Sequence, residues 1–121
     1  LAERERLPVP FLALINPKIV EYSQETAEFF EGCLSVAGFS ALVKRSRRVV
    51  VEYLDENAHS CKVEVSGWFA RILQHEIDHL SGRLYLDLME TRSFMSNENL
   101  ARHWKNSSLQ AVREALGLPA A

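Results

Sequence analysis

The sequence lacks the features of a secreted, membrane-spanning or nucleic-acid-binding protein. Its two cysteines, Cys33 and Cys61, are too few for a disulfide-rich scaffold; one disulfide between them is an alternative that no other feature favours. No apolar run approaches the roughly 20 residues of a membrane span, and residues 1–6 are charged where a signal peptide would be apolar. The formal net charge is −2 with both signs mixed, so we expect no direct binding to nucleic acid or membranes.

The length and patterning fit one α+β domain. The chain has 121 residues, enough to bury the core of an ordinary domain. We expect a single domain over residues 1–121, in which antiparallel strands pack around one central helix and residues 96–121 form a helical C-terminal extension. Strands are predicted at 11–15, 19–22, 47–54, 60–65 and 84–86, and helices at 66–82, 96–104 and 108–116, after an arm or loop at 1–8. Asn16 and Pro17 are expected to end the first strand.

The clearest hairpin signal lies in the middle of the chain. Cys61, Val63 and Val65 alternate with Lys62 and Glu64, after a turn-forming segment at residues 55–57. The alternation predicts that Cys61 faces a core as a small hydrophobic residue.

The predicted helix at 66–82 contains the sequence QHEIDHL at residues 74–80, which is an H-E-x-x-H pattern. Residues four apart lie on one helical face, so His75 and His79 can bind one metal ion together. Glu76 lies beside them and could accept a proton from water that the metal has made more acidic. Ser66 is expected to cap the start of the helix and Gly82 to end it. The pattern indicates a hydrolytic metal site.

Two histidines leave the coordination of the metal incomplete, and the residues by themselves leave the third ligand open. A metzincin pattern would need histidine at position 85, where the sequence has Tyr85. Cys33 is attractive because it follows Gly32 in a turn after an extended run, and two histidines with one cysteine leave a position open for catalysis. The candidate third ligands are Cys33, Cys61, His59, His103 and Glu98.

The segment EGCLS at residues 31–35, taken with QHEIDHL at 74–80, resembles the second and third motifs of peptide deformylase. The segments at 66–71 and 82–85 also resemble that family, and the likeness covers about residues 11–95. The resemblance implies a hydrolase that removes the formyl group from N-formylmethionine of nascent polypeptides and releases formate. The expected location is the bacterial cytoplasm, or a mitochondrion or plastid, with the ribosome as an expected partner.

The resemblance also implies roles for individual residues. Cys33, His75 and His79 would bind the metal, with ferrous iron expected and zinc, nickel or cobalt able to substitute. Glu76 would act as general base and then as acid, and the backbone N–H of Leu34 would stabilise the formyl oxygen. The residues expected to contact the formyl-methionyl peptide are Glu31, Gly32, Ile72 and Arg71. Arg71 is expected to line the pocket with its aliphatic stem while its charged head reaches water.

The family's first motif, G-x-G-x-A-A-x-Q, does not occur in the sequence. Its glutamine supplies a second donor to the oxyanion, so we expect the intact protein to have a longer N-terminal part or a separate chain that supplies it.

Two other functions stay open at this point. One is a small H-E-x-x-H metallopeptidase, and the other is a non-catalytic module whose structural metal is closed by His59 or Cys61.

Overall fold

The computed structural model describes residues 13–119 and divides the chain into two compact units. The first unit contains residues 13–27 and 45–83, and the second contains residues 28–44 and 84–119. The arm predicted at residues 1–8 lies outside the described residues. Among the residues that are described, no helix is long and apolar enough to cross a membrane.

The described residues form an α+β structure with antiparallel strand pairs and short C-terminal helices, as the sequence predicts. The strands are β1 (Ile15–Tyr22), β2 (Thr26–Glu31), β3 (Phe39–Ser46), β4 (Arg48–Leu54), β5 (Ser60–Ser66) and β6 (Met95–Ser96). The helices are α1 (Gly67–Leu80), the single turn α2 (Asn97–Asn99), a π-helix (Leu100–Trp104) and α3 (Leu109–Ala115). The strand orders are β1-β4-β5 in one sheet and β2-β3-β6 in the other.

The first unit is built on the sheet β1-β4-β5. β4 is the central strand, and its valines at 49, 50 and 51 are all buried, as expected for a strand covered on both faces. The predicted hairpin is confirmed, because β4 pairs with β5 in a continuous register from Arg48↔Ser66 to Leu54↔Ser60. On β5 the alternation also holds, with Val65 buried and Lys62 and Glu64 exposed.

Helix α1 packs its apolar face on this sheet. Ala70 and Leu73 are buried against Val49, Val51 and Val65 in one hydrophobic cluster. Burying a leucine side chain stabilises a fold by about 1.5–3 kcal/mol, so this contact fixes the rotation of the helix about its axis. Ser66 stands at the predicted cap position in extended conformation, but its side chain makes no capping hydrogen bond.

The prediction for the first strand is wrong in its boundaries. β1 begins at Ile15 and continues through Asn16 and Pro17, which were expected to end it. The register shifts between Ile15 and Lys18, and Asn16 has φ +50°, so the chain accommodates the proline in a bulge. An edge strand tolerates proline because its missing N–H need not serve a second neighbour.

The second unit contains strands that the sequence analysis did not predict. β3 includes the consecutive buried residues Ala41, Leu42 and Val43, and it pairs with β6 at its start. The core of this unit joins Ala41 and Val43 to Tyr85.

Tyr85 lies in a 3-10 turn (Tyr85–Asp87), so the strand predicted at 84–86 is wrong. The Asp87 carboxylate accepts a hydrogen bond from the Leu84 N–H at 2.9 Å, which favours the turn over an extended conformation.

The C-terminal helices belong to the second unit, where α3 is paired with β2. Ser108 caps α3 as predicted, because its hydroxyl accepts a hydrogen bond from the Ala111 N–H at 3.1 Å. Arg113 on α3 places Nη1 2.6 and 2.7 Å from the two carboxylate oxygens of Glu28 on β2. The side chains of this ion pair are only 5% and 7% exposed. A buried, charge-assisted pair of this kind ties α3 to β2.

We predict that Arg113→Ala lowers the free energy of unfolding by about 3–5 kcal/mol, because it leaves the Glu28 carboxylate buried without its counter-ion. The matched control is Arg102→Ala, which removes an exposed pair with Glu98 (2.7 Å, side chains 61% and 75% exposed). The control should change stability by less than about 1 kcal/mol. Urea denaturation monitored by circular dichroism measures both; equal effects of the two substitutions would contradict the structural role of the Glu28 pair.

Candidate metal centre

Helix α1 places His75 and His79 side by side. Their ring centroids lie 4.8 Å apart with the rings nearly perpendicular, at 86°. The side chain of His75 is 13% exposed. The two imidazoles therefore share one helical face, as the spacing predicts.

Glu76 lies beside this pair and is accessible to solvent. Its Oε1 is 3.9 Å from Nε2 of His75, and its side chain is 64% exposed. The carboxylate is therefore near the imidazole nitrogen and can also exchange protons with water.

The C-terminal end of α1 supplies a hydrogen-bond partner for His79. Its Nδ1 lies 3.2 Å from the carbonyl oxygen of Arg83. A carbonyl can only accept, so the neutral ring carries its hydrogen on Nδ1 in this contact. The lone pair is then on Nε2, where it can bind a metal.

Asp78, to which the sequence analysis assigned no role, forms an ion pair within the first unit. Its Oδ2 accepts a hydrogen bond from Nη1 of Arg45 at 3.0 Å, and the side chains are 14% and 3% exposed. The pair connects the last turn of α1 to β3. No local pattern predicts this pair, since the two residues are 33 positions apart.

Gln74 anchors the same helix by a different interaction. Its amide oxygen accepts from the Ser46 N–H at 3.1 Å, and its amide nitrogen donates to the carbonyls of Ser46 at 2.8 Å and Ala70 at 3.1 Å. Gln74 is buried, so these bonds satisfy its whole amide group at a site that excludes water. The residue thus holds α1 against the end of β3.

Arg71 differs from the expectation. The side chain was expected to reach water with its charged head, but the residue is only 4% exposed. Its Nη1 donates a hydrogen bond to the carbonyl of Ala27 at 3.2 Å. Since a buried guanidinium requires acceptors, this carbonyl draws the head inward. Ile72 beside it is half-buried.

In the second unit, Cys33 precedes a 3-10 turn (Leu34–Val36). Its carbonyl accepts the turn's hydrogen bond from the Val36 N–H at 2.9 Å. Cys33 is half-buried against the cluster that contains Tyr85, and it is not in a disulfide. Leu34 is 98% exposed. The turn therefore fixes the backbone at Cys33 and leaves the side chain of Leu34 in solvent.

The glycine before Cys33 lies at a close approach of the backbone to β3. A Cβ on Gly32 would lie 3.1 Å from the carbonyl oxygen of Phe39 and 3.3 Å from Oγ of Ser40. Both distances are shorter than ordinary van der Waals contact, so a side chain here would displace β3. Glu31, the next residue toward the N-terminus, is buried.

Tyr85, which occupies the position of a metzincin's third histidine, is a core residue. Its hydroxyl donates to the carbonyl of Phe39 at 3.4 Å. Burial raises the pKa of Tyr85, and the negative charges of Cys33 and Glu31 raise it further. The phenol therefore stays protonated near neutral pH and acts as a hydrogen-bond donor.

The other candidate ligands have local partners of their own. His59 lies at the β4–β5 turn with Nδ1 3.6 Å from Oδ2 of Asp55, and Sγ of Cys61 is 3.8 Å from the same oxygen. Cys61 is not in a disulfide either, so the disulfide alternative is not realised. His103 is exposed in the π-helix, and Glu98 pairs with Arg102.

A helix that carries two histidines and a glutamate in this pattern is typical of metal-dependent hydrolases. The family model described as polypeptide deformylase matches residues 1–94 of the chain. This chain belongs to the polypeptide deformylase family.

Individual relatives support the family assignment. Peptide deformylase 3 of Streptomyces avermitilis is 47% identical over 116 residues, which are 96% of this chain and 52% of the relative. The chloroplastic peptide deformylase 1A of Solanum lycopersicum is 54% identical over 97 residues, or 80% of this chain and 35% of the relative. A crystal structure of class I type b peptide deformylase from Acinetobacter baumannii with bound Met-Ala-Ser aligns with a TM-score of 0.61 at 39% identity, covering 63% of this chain and 48% of that one. The chain thus spans about half the length of these relatives or less.

We predict that Gln74→Met destabilises the first unit by about 1–3 kcal/mol, because it leaves the partly buried N–H and C=O of Ser46 without the amide that satisfies them. The matched control is Gln110→Met on α3, where the glutamine is exposed and makes only a 3.4 Å contact with Glu114. Surface substitutions of this kind change stability by about 0.5 kcal/mol or less. Thermal and urea unfolding compare the two; a neutral Gln74→Met would show that the bonds to Ser46 do not anchor α1.

Proposed function

We propose that this chain is the part of a peptide deformylase that carries its metal-binding and proton-transfer residues, and that the enzyme hydrolyses the formyl group from N-formylmethionine of nascent polypeptides. The observation that carries the proposal is the pair of imidazoles one helical turn apart with the accessible carboxylate of Glu76 beside them. Family membership supports the substrate class, since the relatives are deformylases by name.

We assign the metal ligands as Cys33, His75 and His79. Two features support the assignment: Nδ1 of His79 lies 3.2 Å from the carbonyl oxygen of Arg83, which favours Nε2 as the ligand atom, and Cys33 directly precedes a 3-10 turn and is not in a disulfide. Two imidazoles and one thiolate suit ferrous iron, zinc, nickel or cobalt, and three protein ligands leave a position open. We propose ferrous iron as the resident ion. When bound, a divalent metal polarises a carbonyl and lowers the pKa of water in its open position.

Glu76 is proposed as the group that moves the proton. Its carboxylate accepts a proton from the attacking water as the water oxygen bonds to the formyl carbon. It then delivers that proton to the methionine nitrogen as the carbon–nitrogen bond breaks, which yields formate and a free amine. The 64% exposure of its side chain is consistent with a group that must meet water and substrate.

The backbone N–H of Leu34 is proposed as a donor to the formyl oxygen as negative charge develops on it. The 3-10 turn closes its own hydrogen bond between Val36 and Cys33, so the N–H of Leu34 is not used by that bond. A donor in this role is typically worth a factor of about 100–1,000 in rate.

We propose that the peptide runs along residues 31–32 in extended conformation, with backbone hydrogen bonds to Gly32. Glu31 and Gly32 would contact the main chain, while Ile72 and the aliphatic stem of Arg71 would border the methionine side chain. The relative from Acinetobacter baumannii that binds Met-Ala-Ser supports a peptide ligand of this type. Formylated chains emerge at the ribosome, which makes it a proposed partner.

Two further features of the complete enzyme belong to the proposal. We propose that α1 is the central helix of the fold around which the strands pack. We also propose that the protein works in the bacterial cytoplasm or in an organelle; the relatives include a chloroplastic form.

The proposal is tested by anaerobic formate release from formyl-Met-Ala-Ser, with acetyl-Met-Ala-Ser as the negative substrate. The chain is assayed alone and fused behind a segment that carries the family's glycine-rich first motif, since that motif does not occur in residues 1–121. We expect the fusion to release formate. Glu76→Gln should lower its rate about 100- to 10,000-fold because the proton acceptor is lost.

The matched control is Glu64→Gln, which removes an exposed carboxylate on β5 and should leave the rate unchanged. Retained turnover in Glu76→Gln would refute the role of Glu76. Cleavage of internal peptide bonds in place of formate release would favour a metallopeptidase. A chain that binds metal but is inactive as a fusion would favour a structural metal site.

Cys33→Ala should lower the affinity for Zn²⁺ by at least about 100-fold, because losing a ligand costs more than losing an outer-shell partner, which typically costs 10- to 100-fold. Cys61→Ala is the control, since it removes the other thiol, which lies on β5 opposite Tyr53. Isothermal titration under reducing conditions measures both affinities. If Zn²⁺ binding is unchanged in Cys33→Ala, the third ligand is another residue.

A further inference from the structure

We propose that the turn that ends α1, set by Gly82, is a positioning device for His79: it holds the carbonyl of Arg83 where it fixes the imidazole as a ligand through Nε2. The inference rests on the metal site of the proposed function. It assigns positioning roles to Gly82 and to the backbone of Arg83, and a supporting role to Asp78.

The turn has the hydrogen bonds of a Schellman motif. The N–H of Gly82 donates to the carbonyl of His79 at 3.0 Å, and the N–H of Arg83 donates to the carbonyl of Asp78 at 3.0 Å. Gly82 has φ +74°, in the left-handed region that residues with a Cβ rarely adopt. A Cβ at this position would meet nothing within 4 Å, so backbone conformation and not space requires the glycine.

This motif directs a carbonyl at the metal-binding ring. Arg83 follows Gly82 directly, so the direction of its carbonyl depends on the left-handed conformation at Gly82. That carbonyl lies 3.2 Å from Nδ1 of His79. Outer-shell acceptors of this kind fix the tautomer and ring orientation of a ligand histidine and raise its basicity.

The end of the helix is also held through Asp78. Its carbonyl accepts the N–H groups of Ser81 and Arg83, both at 3.0 Å, while its carboxylate accepts from Arg45. The residue before His79 is thus tied both to the terminal turn and to β3. Rotation of the last turn, which would carry the imidazole away, would break the buried ion pair.

Helix α3 offers an internal comparison, because it ends in the same motif without a histidine. The N–H of Gly117 donates to the carbonyl of Glu114 at 3.1 Å, and that of Leu118 to Arg113 at 2.9 Å, with φ +72° at Gly117. Glu114 stands where α1 has His79. A Cβ on Gly117 would also lie 3.3 Å from Nη1 of Arg92, so substitution there should cost at least as much stability as at Gly82. Only the turn of α1 should change metal binding.

The first test needs no metal. Nitrogen-15 NMR of the metal-free chain, at a pH where the imidazoles are neutral, reports which ring nitrogen of His79 carries the hydrogen. We expect the Nδ1–H tautomer. A predominant Nε2–H tautomer would overturn the proposal, whatever the activity of the protein.

The second test compares Gly82→Val with Gly117→Val. A β-branched residue is strongly disfavoured at positive φ, so each substitution forces its turn to rearrange. Cobalt binding, followed by electronic absorption under anaerobic conditions, should weaken about 10- to 100-fold in Gly82→Val and stay unchanged in Gly117→Val. Gly82→Asn should rescue the affinity and the Nδ1–H tautomer, because asparagine tolerates the left-handed conformation.

Equal losses in the two valine variants would assign the effect to general destabilisation and overturn the proposal. If Gly82→Val does not fold, the tautomer in the unsubstituted chain and in Gly82→Asn still decides the outcome. A chain that binds no cobalt but has the Nδ1–H tautomer would count against the proposed function alone.

Discussion

The packing of α1 on the sheet β1-β4-β5 is the constraint on which the candidate site depends. Ala70 and Leu73 are buried against Val49, Val51 and Val65, and this contact fixes the rotation of the helix. Because side chains repeat every 3.6 residues, fixing the apolar face also fixes where residues 75 and 79 point. One hydrophobic interface thus determines the positions of two potential ligands.

Buried polar groups hold this helix more specifically than apolar contact can. The Arg45–Asp78 ion pair and the bonds of Gln74 to Ser46 join α1 to the segment around the end of β3. A buried ion pair adds little net stability compared with a well-packed apolar pair, yet removing one partner is expensive. Any other placement of the helix would break these interactions and would therefore be higher in free energy. A site that must hold its functional atoms within a fraction of an ångström depends on this free-energy difference.

In the second unit, backbone packing holds Cys33 in place. The close approach at Gly32 leaves no room for a side chain beside β3, and the 3-10 turn after Cys33 fixes its backbone. The Glu28–Arg113 pair ties α3 into this unit, so the C-terminal residues contribute to its stability. The turn and the close approach thus hold the backbone at Cys33 in place.

The sequence by itself determined the features that depend on residues of one helix or of two successive strands. These are the shared face of His75 and His79, the end of α1 at Gly82 and the hairpin β4–β5; the motif pair also identified the family. Only the tertiary structure decided that Pro17 lies within an edge strand, that residues 39–46 form a buried strand and that the guanidinium of Arg71 turns inward. These outcomes depend on partners far away in the chain, which packing selects and local patterns do not encode.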